Sequence, residues 1–200
     1  MENKTNIEIL SDIATETNRV IEFKEEQYPL SSYSQIPRLR TSVYMPNNAS
    51  KTSYFVWSCD PYGEIGENTV FCGAFIPISS GITGKINIRK KNIIDKLNIF
   101  KSNDNHSSLP ETFDSKVIIS GDDLSMMKTF FNNVKLQNKI LEILDISDII
   151  KISINEIDVD FVPELKGKSH LCILNKQDWY MEKEQIEKLF GLIEQIKKLL

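Results

Sequence analysis

The run Phe113-Asp114-Ser115-Lys116-Val117-Ile118-Ile119-Ser120-Gly121-Asp122-Asp123 and the later run Ile149-Ile150-Lys151-Ile152-Ser153-Ile154-Asn155-Glu156-Ile157-Asp158-Val159-Asp160-Phe161-Val162 decide how the chain is read. Lys116 to Ser120 is a β-branched run closed by Gly-Asp-Asp, which predicts a strand and then a turn. Asp122 is placed to cap a following helix, because a carboxylate there accepts unpaired N–H groups and favours the positive end of the dipole. Leu124, Met127 and Phe130 or Phe131 give that helix an apolar face; Asn132-Asn133 interrupts it, and Leu136, Ile140, Ile143 and Leu144 give a second helix another. Apolar and polar residues then alternate through both halves of the later run. Period two predicts two strands there, Ile149 to Ile154 and Glu156 to Val162, joined by a tight hairpin at Asn155-Glu156.

Working towards the start of the chain, Ser102 to Ser108 is polar and without period, a candidate boundary between two halves. Residues 7–26 carry Ile9, Leu10, Ile13, Val20, Ile21 and Phe23 near helical spacing and predict one amphipathic helix. Residues 37–46 alternate, with Leu39, Thr41, Val43 and Met45 to one side and Arg38, Arg40, Ser42 and Tyr44 to the other. Ser53 to Cys59 and Thr69 to Ile78 predict two more strands, and an antiparallel meander is the simplest arrangement. Between them lies the breaker-rich loop Asp60 to Asn68. Towards the end of the chain, His170 to Leu174 predicts a short strand. A last helix carries Ile186, Leu189, Phe190, Ile193, Ile196 and Leu200 on one face, capped at or near Asp178.

Composition excludes several classes. With 24 basic and 28 acidic residues the formal charge is −4, which gives no global field to attract nucleic acid or an anionic membrane. Two hundred residues bury a sizeable core without a disulfide or metal staple. The three cysteines, Cys59, Cys72 and Cys172, are odd in number and form no CxxC pair, so reduced thiols in the cytoplasm are expected. The polar start Met1 to Asn6 predicts no signal peptide, and no apolar run is long enough for a membrane span.

Several groups of residues are candidates for chemistry. Glu156, Asp158 and Asp160, at every second position of an expected strand, share one face; side by side, carboxylates offer oxygen ligands to a divalent metal, while plain alternation explains them as the wet face of a half-buried strand. Lys85, Arg89, Lys90 and Lys91 form a local basic cluster able to meet an anion, but no aromatics are interleaved to stack bases. Ser79 to Lys85 has the look of a phosphate loop and fails as one, since Ile86 to Arg89 alternates like a strand where a helix is required. Trp57, Asp60, Tyr62 and Glu64 surround the 60–68 loop, where aromatics on a loop held by a sheet suit ligand recognition. His170 and Cys172, or a cysteine with His106, lack the further ligands or local signature that zinc or nucleophilic chemistry needs.

The run Phe113-Asp114, the run Val117 to Asp123, Leu141-Glu142-Ile143-Leu144, and Ile152-Ser153-Ile154 with Ile157-Asp158-Val159 carry a resemblance. Over about residues 70–200 the chain resembles a bacterial family of uncharacterised proteins, a domain of unknown function in which a β meander precedes strand, helix, helix, strand, strand and helix. The resemblance implies a fold and no chemistry.

The expected fold is α+β, a mainly antiparallel sheet with helices packed mostly on one face. Residues 1–200 are expected to form one compact unit, with a β-rich half (1–101) and an α+β half (112–200) joined by the polar loop 102–109 as the alternative division. The expected function is that of a cytoplasmic, non-enzymatic binding or interaction protein with a protein partner, of regulatory or toxin-neutralising type, using no cofactor. The alternatives are a metal-assisted hydrolase on the acidic strand face and an anion- or nucleic-acid-binding module.

Overall fold

The computed structural model describes residues 4–28, 38–60, 70–79, 83–92, 95, 111–122, 131–175 and 181–200. The first helix, α1, spans Asn6–Glu16 and opens on a capping box: Glu8 N–H donates to the Thr5 hydroxyl, and Thr5 N–H donates to the Glu8 carboxylate at 2.7 Å. It ends well before residue 26, where its apolar spacing would carry it. Asn18 takes a left-handed φ of 51°, Arg19 N–H reaches back to Ala14 O and Asn18 N–H to Thr15 O. That is a complete Schellman stop, with asparagine where glycine usually sits. The remainder of the expected helix is instead a strand, β1 (Glu22–Tyr28).

Strands β2 (Arg38–Pro46), β3 (Tyr54–Cys59) and β4 (Phe71–Pro77) form the expected antiparallel meander, and β1 extends it by a strand at the edge of β2. β5 (Ile86–Lys90) then leaves β4 and pairs with β6 (Val117–Gly121), which follows the short helix α2 (Glu111–Asp114). Helix α3 (Val134–Leu144) starts at Asn133, whose side chain accepts from Lys135 and Leu136 N–H. β7 (Ile150–Ile154) and β8 (His170–Asn175) complete the sheet, and α4 (Lys183–Lys197) follows. Its N-cap is Glu182, without a side-chain cap bond; Asp178, expected near that position, lies outside the described residues, as does the helix expected after Asp122.

Among the described residues eight strands join one sheet in the order β1-β2-β3-β4-β8-β7-β5-β6, every neighbouring pair antiparallel. The fold is therefore α+β. Strands from before and after residues 102–109 are interleaved, because β8 pairs with β4 and β7 pairs with β5.

Buried side chains form two clusters on alternate residues of the strands. The first holds Val43, Phe55, Trp57, Ala74, Ile88, Ile119, Ile152 and Ile173 together with Leu10 and Ile13 of α1, Ile140 and Ile143 of α3, and Ile186 and Ile193 of α4. The second holds Tyr54, Val56, Phe71, Phe75, Cys172 and Leu174 with Ile157, Val159, Val162 and Leu165. Leu171 and Ile173 belong to the first and Cys172 and Leu174 to the second, so the clusters lie on opposite faces of the sheet. Each fully buried phenylalanine, such as Phe55, Phe71 or Phe75, contributes about 1.5–3 kcal/mol of transfer free energy. Among the described residues no helix is long and apolar enough to cross a membrane.

The expected strand Glu156 to Val162 does not form. Residues 155–169 are a loop of successive turns that covers the second face. Asn155 turns the chain with φ 54°, and Val162 N–H closes a turn on Val159 O. The physical reason is the topology: β5 and β8 already occupy both edges of β7, so residues 156–162 have no free edge there to pair with. The alternation nonetheless identified which side chains are buried, since Ile157 and Val159 face the sheet while Asp158 and Asp160 face solvent.

Candidate functional site

β1 is the terminal strand of the sheet, with β2 as its one strand neighbour among the described residues. On the first face the register sets Phe23 opposite Val43, Glu25 opposite Thr41 and Gln27 opposite Leu39. Val43 is fully buried, whereas Phe23 is 47% exposed and Leu39 41%. Two large apolar side chains are therefore exposed on this face, Phe23 on the terminal strand and Leu39 on β2 beside it. Val20, on the lead-in to β1, is 62% exposed.

The second face of the same strands is polar. Lys24 and Glu26 pair at 2.6 Å along β1, and Glu26 stands opposite Arg40. Arg40 is only 5% exposed. Its Nε–H donates to Ser58 Oγ at 2.9 Å, a terminal N–H donates to the Asp158 carbonyl at 3.4 Å, and the guanidinium sits 5.5 Å from the Phe161 ring centre. Ser42 Oγ lies 3.4 Å from Ser58 Oγ. A buried cation requires such partners, and two of them, Asp158 and Phe161, come from the covering loop. Buried Asp60 directly follows Cys59, the last residue of β3. Burial, and then the charge of Asp60, pushes the Cys59 thiol up, the opposite of what an activated nucleophile needs.

Trp57 is buried in the first cluster and Asp60 is buried as well, while Tyr62 and Glu64 lie outside the described residues. In the acidic trio, Asp158 Oδ1 accepts from Asp160 N–H at 3.0 Å and Asp160 Oδ1 from Gly167 N–H at 3.2 Å, so these carboxylates cap turns of the covering loop. Glu156 is half-buried. Among the described residues no group of three or more His, Cys, Asp or Glu is placed to hold a metal.

The basic cluster splits between faces, because adjacent strand residues point opposite ways. Arg89 makes a two-pronged pair with Asp95, at 2.6 and 2.8 Å. Asp95 also accepts Asn92 N–H, and the Arg89 bond followed by the Asn92 bond holds its carboxyl down at about 2. Lys90 pairs with Asp145 at 3.1 Å and Asp148 at 3.4 Å, and Lys91 Nζ donates to the Asp114 carbonyl at 2.5 Å. Lys85 is exposed at the head of β5. β5 follows it directly, so the segment has no helix N-terminus at which to hold a phosphate.

His170 is buried, with Nε2 3.0 Å from the Ile157 carbonyl and Nδ1 3.1 Å from the Lys168 carbonyl. Cys172 Sγ lies 3.0 Å from Ser153 Oγ. Both residues anchor structure: the histidine holds the two ends of the covering loop, and the cysteine pairs across β7 and β8. His106 lies outside the described residues.

Sequence reasoning missed Phe23, which helical spacing drew into the first helix, and the role of Arg40. Asn18 was the signal for the first. For the second it was an arginine that alternation sets on one face with Ser42 and Tyr44. No family model, curated protein or solved structure matches the chain.

Proposed function

We propose that this chain is a non-enzymatic interaction protein that receives an extended segment of a partner protein along β1. The observation that carries the reading is the terminal strand itself, with Phe23 exposed on one face beside Leu39 of β2 and the Lys24–Glu26 pair on the other. A strand edge offers a row of N–H and C=O groups, and an added strand takes affinity from those bonds and specificity from alternate side chains. Along β1, apolar Phe23 on one face and the opposite charges of Lys24 and Glu26 on the other supply that alternation, and Leu39 on neighbouring β2 widens the apolar side. A regulatory or toxin-neutralising role fits a surface of this kind. In this reading residues 1–200 act as one unit, with the helices layered on one face of the sheet. The three free cysteines support a reducing, cytoplasmic setting.

Quantitative affinity capture from the native cell tests the proposal. Phe23→Asp with Leu39→Asp should reduce the co-purifying partner by about tenfold or more, while Lys166→Glu, on the covering loop, leaves it unchanged. An identical partner profile for the double variant and the unmodified chain would defeat it.

A further inference from the structure

At the opposite end of the sheet lies a cavity of about 260 Å³, between the end of β5, the start of β6 and the last turn of α3. Val117 and Leu144, each almost fully buried, form its floor with half-buried Leu141. Lys90, Lys91, Lys116, Ser115 and Asp145 form its walls. The backbone brings the lysines together: Lys90 is the register partner of Val117, and Lys91 N–H donates to the Lys116 carbonyl at 2.9 Å. Lys116 is remote from Lys90 and Lys91 along the chain and stands beside them across the β5–β6 ladder.

Local structure accounts for only part of this charge. Lys90 is neutralised by Asp145 and Asp148. Lys91 donates to a carbonyl, Asp114 O, and feels the carboxylate of Asp95, which Arg89 already engages. Among the described residues neither Lys91 nor Lys116 belongs to an ion pair closer than 4 Å. The cavity is thus cationic at the rim and apolar at the floor. Its volume of about 260 Å³ falls just below the ~300–1,000 Å³ of sites for drug-sized ligands, so its occupant is small.

We propose that this cavity binds a small organic anion, with the charged group held by Lys91 and Lys116 and a short apolar body resting on Val117, Leu141 and Leu144. The proposal is independent of the β1 surface.

Calorimetry and amide-shift mapping with phenyl phosphate, benzoate and inorganic phosphate test it on the full chain. Phenyl phosphate or benzoate should bind at one site, with shifts centred on Val117, Leu141 and Leu144. Inorganic phosphate should bind about tenfold more weakly, and Lys91→Gln with Lys116→Gln should weaken the organic anion by about tenfold or more. Leu141→Asn, which keeps the lysines, should weaken the organic anions and leave inorganic phosphate unchanged. The proposal is overturned by absence of saturable binding, by equal affinity for phenyl phosphate and inorganic phosphate, or by full affinity in the folded double-lysine variant.

Discussion

Asn155 and His170 hold each other across the base of the covering loop: Asn155 N–H donates to the His170 carbonyl at 3.1 Å, and His170 N–H donates to Asn155 Oδ1 at 3.0 Å. Asn155 does so from a left-handed φ of 54°, a conformation asparagine tolerates better than most residues. Asn155→Ala loses the side-chain acceptor and strains the turn, and should cost about 1–3 kcal/mol in urea unfolding. Asn155→Gly, which relieves the backbone term alone, should cost less. Equal losses for the two would show that the backbone conformation plays no part.

Arg40 ties the same loop to β2 and β3 through Ser58, Asp158 O and the Phe161 ring. Arg40→Met keeps much of the side-chain volume but orphans the Asp158 carbonyl, and should destabilise by about 2–3 kcal/mol. Limited proteolysis within residues 156–168 should accelerate in parallel. Arg40→Lys should recover only part of the loss, since a lysine lacks the planar fork.

Acid titration should reveal the Arg89–Asp95 pair. The folded-state value of Asp95, about 2, lies below the ordinary 3.8. As pH falls the unfolded chain takes up the proton first, so the pair's contribution is complete above the ordinary value and vanishes as pH drops through the folded one. Asp95→Asn should therefore flatten the stability profile between 3.8 and about 2 and lower stability at neutral pH. An unchanged acid limb would show that the carboxylate is not coupled to folding.

At Gly73 the sheet leaves no room for a side chain. A Cβ there would lie 2.2 Å from the Ile173 carbonyl oxygen on β8, a backbone atom that cannot turn aside. Gly73→Ala should destabilise by about 3 kcal/mol or prevent folding, read as a loss of thermal midpoint. Gly191→Ala, whose Cβ meets nothing within 4 Å, is the matched control and should be neutral or stabilising.

The sequence made the burial pattern legible more readily than the backbone path. Alternation placed Val43 and Met45 on the face opposite Arg40, Ser42 and Tyr44, and the structure keeps that division. It also separated buried Ile157 and Val159 from exposed Asp158 and Asp160, yet the segment is a loop, because alternation records burial and not hydrogen bonding. The short first helix was legible in Asn18, but apolar spacing through Val20 and Phe23 outweighed one turn signal. The lysine-rimmed cavity was not legible, because only the β5–β6 register brings Lys116 beside Lys91. Nor was the insertion of β8 and β7 between β4 and β5, which depends on long-range pairing.

That insertion sets the order in which the molecule becomes whole. β8 alone joins the meander to the β7-β5-β6 group, through β4 on one side and β7 on the other. Until residues 170–175 have been synthesised, the two strand groups have no strand to join them, and the inner edges of β4 and β7 stand open. A chain emerging from a ribosome therefore carries the β4 edge unsealed from the completion of β4 at Pro77 until β8 begins at His170, the condition under which slow, non-local folding is most exposed to aggregation.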